Sequence, residues 1–147
     1  MKIVIKEFTE LTTQELYEIL QLRVNVFVLE QQCFYPEIDG KDFQSYHLYL
    51  ENFGRIQGYL RIPKKGQTFD TISIGRLVVH PDYRGIGLAA HMMDKALMFI
   101  TEHLGETHIK ISAQQYLIPF YEKKGFRAIS EGYLEDGIPH IDMEYKV

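Results

Sequence analysis

The segment that most constrains the fold runs from a short apolar strand through a glycine turn into a long helix. Residues 76–89 read RLVVHPDYRGIGLA. Pro81 ends the strand, and apolar residues recur at helical spacing from Leu88 to Leu104, so a helix begins where the glycines end. A strand, a tight turn and a helix in immediate succession favour a layered α/β protein.

The same turn has the chemistry of an anion-binding site. The first N–H groups of a helix have no partner within it, and the helix dipole places about half a positive elementary charge there. Gly85 and Gly87 have no side chain to keep a ligand from the backbone, and Arg84 adds a fixed positive charge. Such a helix start suits a phosphate or pyrophosphate. The alternative is a tight turn whose glycines serve only the backbone.

Two common phosphate-binding motifs fit this turn poorly. Gly85, Gly87 and Ala90 match the dinucleotide pattern G-x-G-x-x-A, but that pattern normally opens the first βαβ unit of a long parallel sheet. Here 84 of the 147 residues precede Gly85, the first glycine of the pattern, which disfavours a nucleotide-binding Rossmann domain. No G-x-x-x-x-G-K-[ST] run exists, which excludes a P-loop.

The rest of the sequence predicts a single domain, residues 1–147, because the chain has no repeat and no linker. Thr12 and Glu15 form a capping box before a first helix that is expected to run to about Leu29. The element order is β-α-β-β-β-α-β-α-β-β, an α/β fold with a central mixed sheet. The expected strands cover residues 3–8, 46–51, 55–62, 71–79, 109–113, 126–129 and 138–145, and the later helices cover 88–104 and 118–124.

Charge, cysteine content and hydropathy exclude several classes of protein. The formal net charge of −4 argues against a nucleic-acid-binding protein. The single Cys33 permits no internal disulfide and has no metal-ligand spacing around it, so we expect an intracellular chain without a metal. No apolar run approaches the roughly 20 residues of a membrane span, and the charged N-terminus lacks a signal-peptide pattern. The sequence thus predicts a cytoplasmic protein, monomer or homodimer, with neither nucleic acid nor membrane as partner.

The sequence resembles the GNAT N-acetyltransferases over nearly its whole length. RGIGLA at 84–89 matches the Arg/Gln-x-x-Gly-x-Gly/Ala pattern with which that family binds acyl-CoA. LVVHP at 77–81 and FYEKKGF at 120–126 also resemble the family, and a finer resemblance is to its ElaA-like branch. That branch is matched by LRVNVFVLEQ at 22–31, EIDG at 37–40 and YLEDGIPH at 133–140. The resemblance implies the GNAT-type fold, a central, mixed, mostly antiparallel sheet flanked by helices.

The resemblance further implies that acetyl-CoA is the donor, used as a co-substrate. The amides around the glycine turn are expected to hold its pyrophosphate, and the preceding strand is expected to pair with the amides of the pantetheine arm. In this family that strand diverges from the one at 109–113 and leaves a slot for the arm. The expected cofactor-binding residues are Leu77, Val78, Val79, Arg84, Gly85, Ile86, Gly87, Leu88 and Ala89.

Three residues are candidates for proton transfer during acetylation of an amine. By resemblance, Tyr121 stands where the family often has its general acid, and the alternative for it is core packing. Glu30 ends the first helix beside the loop that borders the acceptor cleft in this family, so it is a candidate base or an ordinary solvated carboxylate. His140 shares a strand face with Asp142, which can orient an imidazole, so it is a second candidate base or half of a surface pair.

Charged residues near the first loop invite a further prediction. Arg76 stands in an otherwise apolar strand and is expected to pair with Glu30 or another acid. Glu30, Glu37, Asp39 and Asp42 make the segment 30–45 acidic, so it either attracts a cationic amine or is merely solvated.

The sequence therefore predicts an enzyme that moves an acetyl group from acetyl-CoA to a primary amine of a small molecule or peptide. The alternative is a non-catalytic acyl-CoA-binding module that acts as a sensor or partner subunit. Such a module needs the glycine turn but neither Tyr121 nor a base. No sequence motif identifies the acceptor amine.

Overall fold

The computed structural model describes residues 1–147 as two antiparallel sheets and three α-helices. One sheet has the strand order β1-β2-β3-β4, and the other has β5-β8-β6 with β7 also paired to β8. The strands are β1 (Lys2–Glu7), β2 (Ser45–Asn52), β3 (Arg55–Pro63), β4 (Gly75–Val79), β5 (His108–Gln114), β6 (Arg127–Ala128), β7 (Tyr133–Glu135) and β8 (Ile138–Lys146). The helices are α1 (Thr13–Arg23), α2 (Leu88–Met98) and α3 (Ile118–Lys123).

This order confirms the predicted one except for β7, which the residue pattern did not predict. β7 is three residues long and forms a hairpin with β8. Asp136 and Gly137 between them both have positive φ, 50° and 78°, which matches the two-residue turns that join antiparallel strands. Three residues are too few to show an alternating pattern, so the Asp-Gly turn was the available signal.

Two predicted helices end in less regular segments than expected, and one predicted strand is shorter than expected. The regular part of α1 ends at Arg23 and that of α2 at Met98, and each continues as a wider π-helical segment, Val24–Glu30 and Phe99–His103. β4 begins only at Gly75, and at its second residue, Arg76, φ is 53° and the pairing with β3 shifts register. A bulge of this kind interrupts a strand that the residue pattern alone predicts to be continuous.

The two sheets meet at one point and then separate. Ile72 and Ile109 form an isolated parallel bridge, and the N–H of Lys110 donates to the carbonyl of Ile72 at 3.2 Å. Beyond this bridge β4 pairs only with β3, and β5 pairs only with β8. The expected divergence of the two strands is confirmed, and it leaves one edge of β4 without a backbone partner.

Helices cover both faces of the first sheet. The larger core cluster, on the side of α2, contains Leu48, Leu50 and Leu60. Tyr49 and Tyr59, which alternate with these leucines along β2 and β3, pack with α1 on the other side. This alternation is the period of two that places successive strand residues on opposite faces. On the α2 side, a Cβ at Gly58 would lie 2.8 Å from the thioether of Met92, so a larger residue there would force the end of the Met92 side chain to move.

A buried ion network fixes the segment after α1 on the first sheet. Arg23 at the end of α1 is fully buried, and its guanidinium contacts Glu37 through Nε at 2.7 Å and Asp42 through Nη1 at 2.7 Å. It also donates to the backbone carbonyl of Glu37 at 3.2 Å. Burial by itself raises the pKa of Asp42, but the hydrogen bonds and charge of Arg23 outweigh burial and hold that pKa below its usual range.

Two more arginines complete the network. Arg61 of β3 binds Asp39 with both Nη atoms, at 2.9 and 2.8 Å, and Arg76 of β4 reaches Glu37 at 2.9 Å. The observed partner of Arg76 is therefore the other acid that the prediction allowed: Glu37, with Asp39 at 3.5 Å, and not Glu30. The acidic segment is neither merely solvated nor free to attract a cation, because arginines bind all four of its carboxylates. Three of these carboxylates belong to the network, and the fourth, Glu30, binds Arg84.

Replacing Arg23 with methionine keeps much of its volume but leaves the carboxylates of Glu37 and Asp42 buried with one cation fewer. We expect Arg23→Met to lower the free energy of unfolding by about 3–5 kcal/mol, measured by urea denaturation. The matched control, Lys65→Met, removes the cation of an exposed pair with Glu106 and should change stability by about 1 kcal/mol or less. Equal small losses in the two variants would show that the network does not hold the loop.

Candidate active site

The glycine turn has the conformation that its residues require. Gly85 and Gly87 have φ values of 83° and 82°, in the left-handed region that glycine adopts without strain. Gly87 is the residue immediately before α2. The glycines therefore serve the turn itself as well as leaving the backbone open to a ligand.

A continuous row of backbone donors follows from this geometry. No N–H from Arg84 to Ala90 has an acceptor within the protein, and His91 is the first to donate, to the carbonyl of Gly87 at 3.1 Å. These groups border a cavity of about 530 Å³, the glycine-turn cavity, which extends along β4. Of the predicted cofactor-binding residues all line it except Ile86, whose side chain points to solvent. The arrangement suits an elongated ligand with an anionic end.

The free edge of β4 supplies further unpaired backbone groups to this cavity. The N–H of His80 donates to Gln57 of β3 at 2.9 Å. Because donors and acceptors of a strand alternate between its two edges, the backbone groups of Leu77 and Val79 face away from β3. All of them except the carbonyl of Val79, which accepts a hydrogen bond from Arg84, are free of a partner. A ligand that carries amides can pair with them.

Glu30 lies at the mouth of the glycine-turn cavity and binds Arg84. The guanidinium contacts both carboxylate oxygens of Glu30, at 2.7 and 3.0 Å, and its Nε donates to the carbonyl of Val79 at 3.0 Å. The hydrogen bond from Arg84 lowers the pKa of Glu30. A carboxylate held in this way is a weaker base than a free one, and it orients Arg84 beside the glycine turn.

A second cavity of about 390 Å³, the polar cavity, opens on the other side of the divergence between the sheets. Its walls come from the loop 33–41, from residues 73–77, from β5 and from the β7–β8 hairpin. The two cavities share five lining residues, Phe27, Gln31, Leu77, Gln114 and Leu117. They therefore meet between β4 and β5, at a junction that these residues define.

Tyr121 combines a packing role with access to the polar cavity. Its ring lies in the core, with its centroid 5.7 Å from that of Phe126, and the residue is only 9% exposed. Its hydroxyl has no hydrogen-bond partner within the protein, although the residue lines the polar cavity near Gln114 and Leu117. Burial raises the pKa of Tyr121 to about 12, so the hydroxyl stays protonated at neutral pH. The two roles of this residue, packing and chemistry, are compatible.

His140 lines the polar cavity, but its carboxylate neighbour differs from the expected one. Nδ1 lies 2.8 Å from the carbonyl of Ile138, and Nε2 lies 3.5 Å from the carboxylate of Glu135. Asp142 shares its strand face but contacts Tyr133 instead. Residues two apart on a strand lie roughly 7 Å from each other, so sharing a face does not make a pair. The unanticipated hairpin places Glu135 beside the ring.

Comparison with known proteins identifies the family. Residues 9–147 match the model of the acetyltransferase (GNAT) domain. The crystal structure of an acyl-CoA N-acyltransferase from Pseudomonas aeruginosa superimposes with a TM-score of 0.92 at 38% identity and 99% coverage of both chains. The chain belongs to the GNAT acetyltransferase family.

Within that family the chain falls in the ElaA-like branch. It is 38% identical to the protein ElaA of Escherichia coli over 95% of this chain and 92% of that one. The crystal structure of E. coli ElaA gives a TM-score of 0.92 at 35% identity. A UPF0039 protein of Schizosaccharomyces pombe is 41% identical over the whole of this chain and 98% of its own.

Membership of the family supports an acyltransferase with an acyl-CoA co-substrate and an amine acceptor. None of the helices has the length and apolarity needed to cross a membrane. Sequence reasoning missed the walls of the junction, Phe27 and Leu117, because no local pattern marks a residue that only the tertiary fold brings to a cavity.

A negative charge inside the glycine-turn cavity should weaken CoA binding. Ala89 lines this cavity in the first turn of α2, where a glutamate also suits the helix dipole, so Ala89→Glu should fold normally. We expect calorimetry to show CoA affinity at least about tenfold lower, a loss of about 1.4 kcal/mol. His91→Glu adds the same charge to the same turn outside this cavity and should bind nearly as wild type. Equal affinities for both variants would contradict the assignment.

Proposed function

We propose that the chain is an N-acetyltransferase that moves the acetyl group of acetyl-CoA to a primary amine of a small molecule or peptide. The observation that carries this proposal is the junction of two cavities between β4 and β5. One cavity presents the unpartnered N–H groups that suit a pyrophosphate, and the other contains the free hydroxyl of Tyr121. A donor and an acceptor that enter from opposite sides would meet at the junction.

Each part of the donor has a matching part of the glycine-turn cavity. The N–H groups from Arg84 to Ala90 would bind the pyrophosphate, and the free edge of β4 at Leu77 and Val79 would pair with the pantetheine amides. This pairing orients the thioester toward Gln114 and Leu117 at the junction. Binding energy from these remote contacts positions the reacting carbon.

The wall beyond the junction favours a short acyl group over a long one. The polar cavity behind it contains the charged side chains of Asp39, Arg61 and Arg76. Asp39 and Arg76 are partly exposed to this cavity, and a long alkyl chain entering there would displace the water that solvates them, at a cost of several kcal/mol. An acetyl group stays at the junction and avoids this cost.

Tyr121 would protonate the departing thiolate of CoA. The amine attacks the thioester carbon, the carbon–sulfur bond breaks, and the sulfur takes the proton of the Tyr121 hydroxyl. The proton that the attacking nitrogen loses on becoming an amide returns to the oxygen of Tyr121, directly or through water. A thiol has an ordinary pKa of ~8.5, so the thiolate is a weak base and leaves partly without help. Proton donation is therefore useful but modest.

The two proposed bases lie in different places. Glu30 borders the glycine-turn cavity and is bound to Arg84, away from the polar cavity. His140 borders the polar cavity, but its Nε2 faces the carboxylate of Glu135, which is half exposed at the rim. The position of His140 favours it over Glu30 as a base on the acceptor side.

Incubation of the protein with acetyl-CoA and a panel of primary amines tests the function. The panel contains alkyl amines, a lysine side-chain amine and a peptide α-amine, and free thiol is followed with time. We expect thiol release that depends on the amine, with the acetylated amine seen by mass spectrometry. Binding of acetyl-CoA without such release would support the non-catalytic acyl-CoA-binding module. Faster transfer from a long-chain acyl-CoA would contradict the acetyl assignment.

Tyr121→Phe removes the proposed acid and keeps the ring. We expect kcat to fall by about 10²-fold, the lower end for a positioned proton donor, with little change in acetyl-CoA affinity. Tyr17→Phe is the matched control, since Tyr17 of α1 is an exposed tyrosine that lines neither cavity. A kcat for Tyr121→Phe within about twofold of wild type would restrict Tyr121 to packing.

A further inference from the structure

A chain of hydrogen bonds leads from the polar cavity along one face of the second sheet. Ser112 of β5 lines the cavity, and its Oγ lies 2.5 Å from the hydroxyl of Tyr133 on β7. That hydroxyl donates to Oδ1 of Asp142 on β8 at 2.6 Å. All three side chains are partly buried, so the chain is shielded along its length and ends at a carboxylate that water can reach.

The hydrogen bonds in this chain have a defined direction. An ionised carboxylate only accepts, so the single proton of the Tyr133 hydroxyl points to Asp142. The oxygen of Tyr133 must then accept the proton of Ser112, which leaves the lone pairs of Ser112 Oγ for the cavity. Burial, followed by the hydrogen bond to Asp142, raises the pKa of Tyr133 to about 12. The hydroxyl therefore releases its proton only as it receives another.

We propose that Ser112, Tyr133 and Asp142 form a relay that removes the proton from the amine acceptor, an inference that rests on the proposed function. The ammonium group of the acceptor gives a proton to Ser112 Oγ. The proton of Ser112 moves to Tyr133, and that of Tyr133 moves to Oδ1 of Asp142. Each hydroxyl ends with one proton, the amine is neutral and nucleophilic, and Asp142 returns its proton to water.

The position of Ser112 fits this role. Ser112 and Gln114 lie two residues apart on the same face of β5, and Gln114 borders the junction of the cavities. Two residues along a strand span roughly 7 Å. An amine at the junction thus reaches Ser112 directly or through one water, the range over which a base acts.

Asp142 has no cation bound to its carboxylate, whereas most of the carboxylates around it are paired with cations. Its contacts are the Tyr133 hydroxyl and, through its own N–H, the hydroxyl of Ser130. Glu144, two residues along β8, is held by Arg127 of β6 and His108 of β5. The other charged groups nearest the relay are His140 of β8, stacked on Tyr133, Glu135 of β7 beside it, and Lys110 of β5, which binds Asp70.

The pH dependence of kcat/KM for Asp142→Asn tests the relay with whichever panel amine the wild type acetylates fastest. An alkyl amine has a pKa near that of lysine, ~10.4, so it is protonated at pH 7.5 and needs a base. We expect about a 10²-fold loss at pH 7.5 that shrinks steadily toward pH 9.5, because the free amine becomes available in solution. A merely structural role would lower kcat/KM by the same factor at every pH.

Matched variants distinguish the relay from a single base at His140. Ser112→Ala and Tyr133→Phe should reproduce the pH-dependent loss, whereas Ser112→Thr keeps the hydroxyl and should retain most activity. Glu131→Gln, a carboxyl-to-amide change on the exposed neighbouring loop, should behave as wild type.

A pH-dependent loss in His140→Gln but not in Asp142→Asn would overturn the relay and make His140 the base. If the wild type acetylates no amine while it binds acetyl-CoA, the proposed function fails and the relay with it. Amine turnover with an unchanged profile in Asp142→Asn overturns the relay alone.

Discussion

The buried ion network around Arg23 is the interaction on which the rest of the site depends. It ties the end of α1, the loop after it and two strands of the first sheet together through buried and half-buried side chains. A buried ion pair is not by itself a strong source of stability, because desolvation of both charges offsets much of their attraction. Its contribution here is position, since a loop rich in acids takes the one arrangement in which each carboxylate meets a guanidinium. That arrangement forms one wall of the polar cavity.

The separation of β4 from β5 is the second constraint. An unpaired strand edge is normally a liability, since its free N–H and carbonyl groups attract other strands. Here the edge lies within a cavity between the sheets, and β4 is only five residues long and interrupted by the bulge at Arg76. The same opening that leaves backbone groups unpaired makes room for a ligand that carries amides of its own. The cost of the open edge is therefore tied to the binding site.

Charge is distributed so that the two ends of the proposed reaction differ. The glycine turn presents uncompensated positive potential from backbone N–H groups, with Arg84 held in place by Glu30. The polar cavity, proposed as the acceptor side, has hydroxyls, an imidazole and carboxylates, which are groups able to exchange protons. In the proposed mechanism, proton donation comes from Tyr121 in the core, and proton removal runs along one face of the second sheet to Asp142. The two proton transfers thus use separate groups and do not compete for one residue.

Interactions between residues close together in the sequence determined most of the helices, turns and strands of this protein. Capping by Thr12 and Glu15, the glycine turn and the apolar face of α2 follow from neighbouring residues, and they predicted the elements and the anion-binding end of the site. Which side chains pair across the fold was decided only by tertiary structure. Arg76 binds Glu37, Glu30 binds Arg84, and His140 has Glu135 beside it and not Asp142, which is bound to Tyr133. The physical reason is that such pairs depend on the register of strands and the path of loops far apart in sequence, whereas helix starts and turns are settled within a few residues.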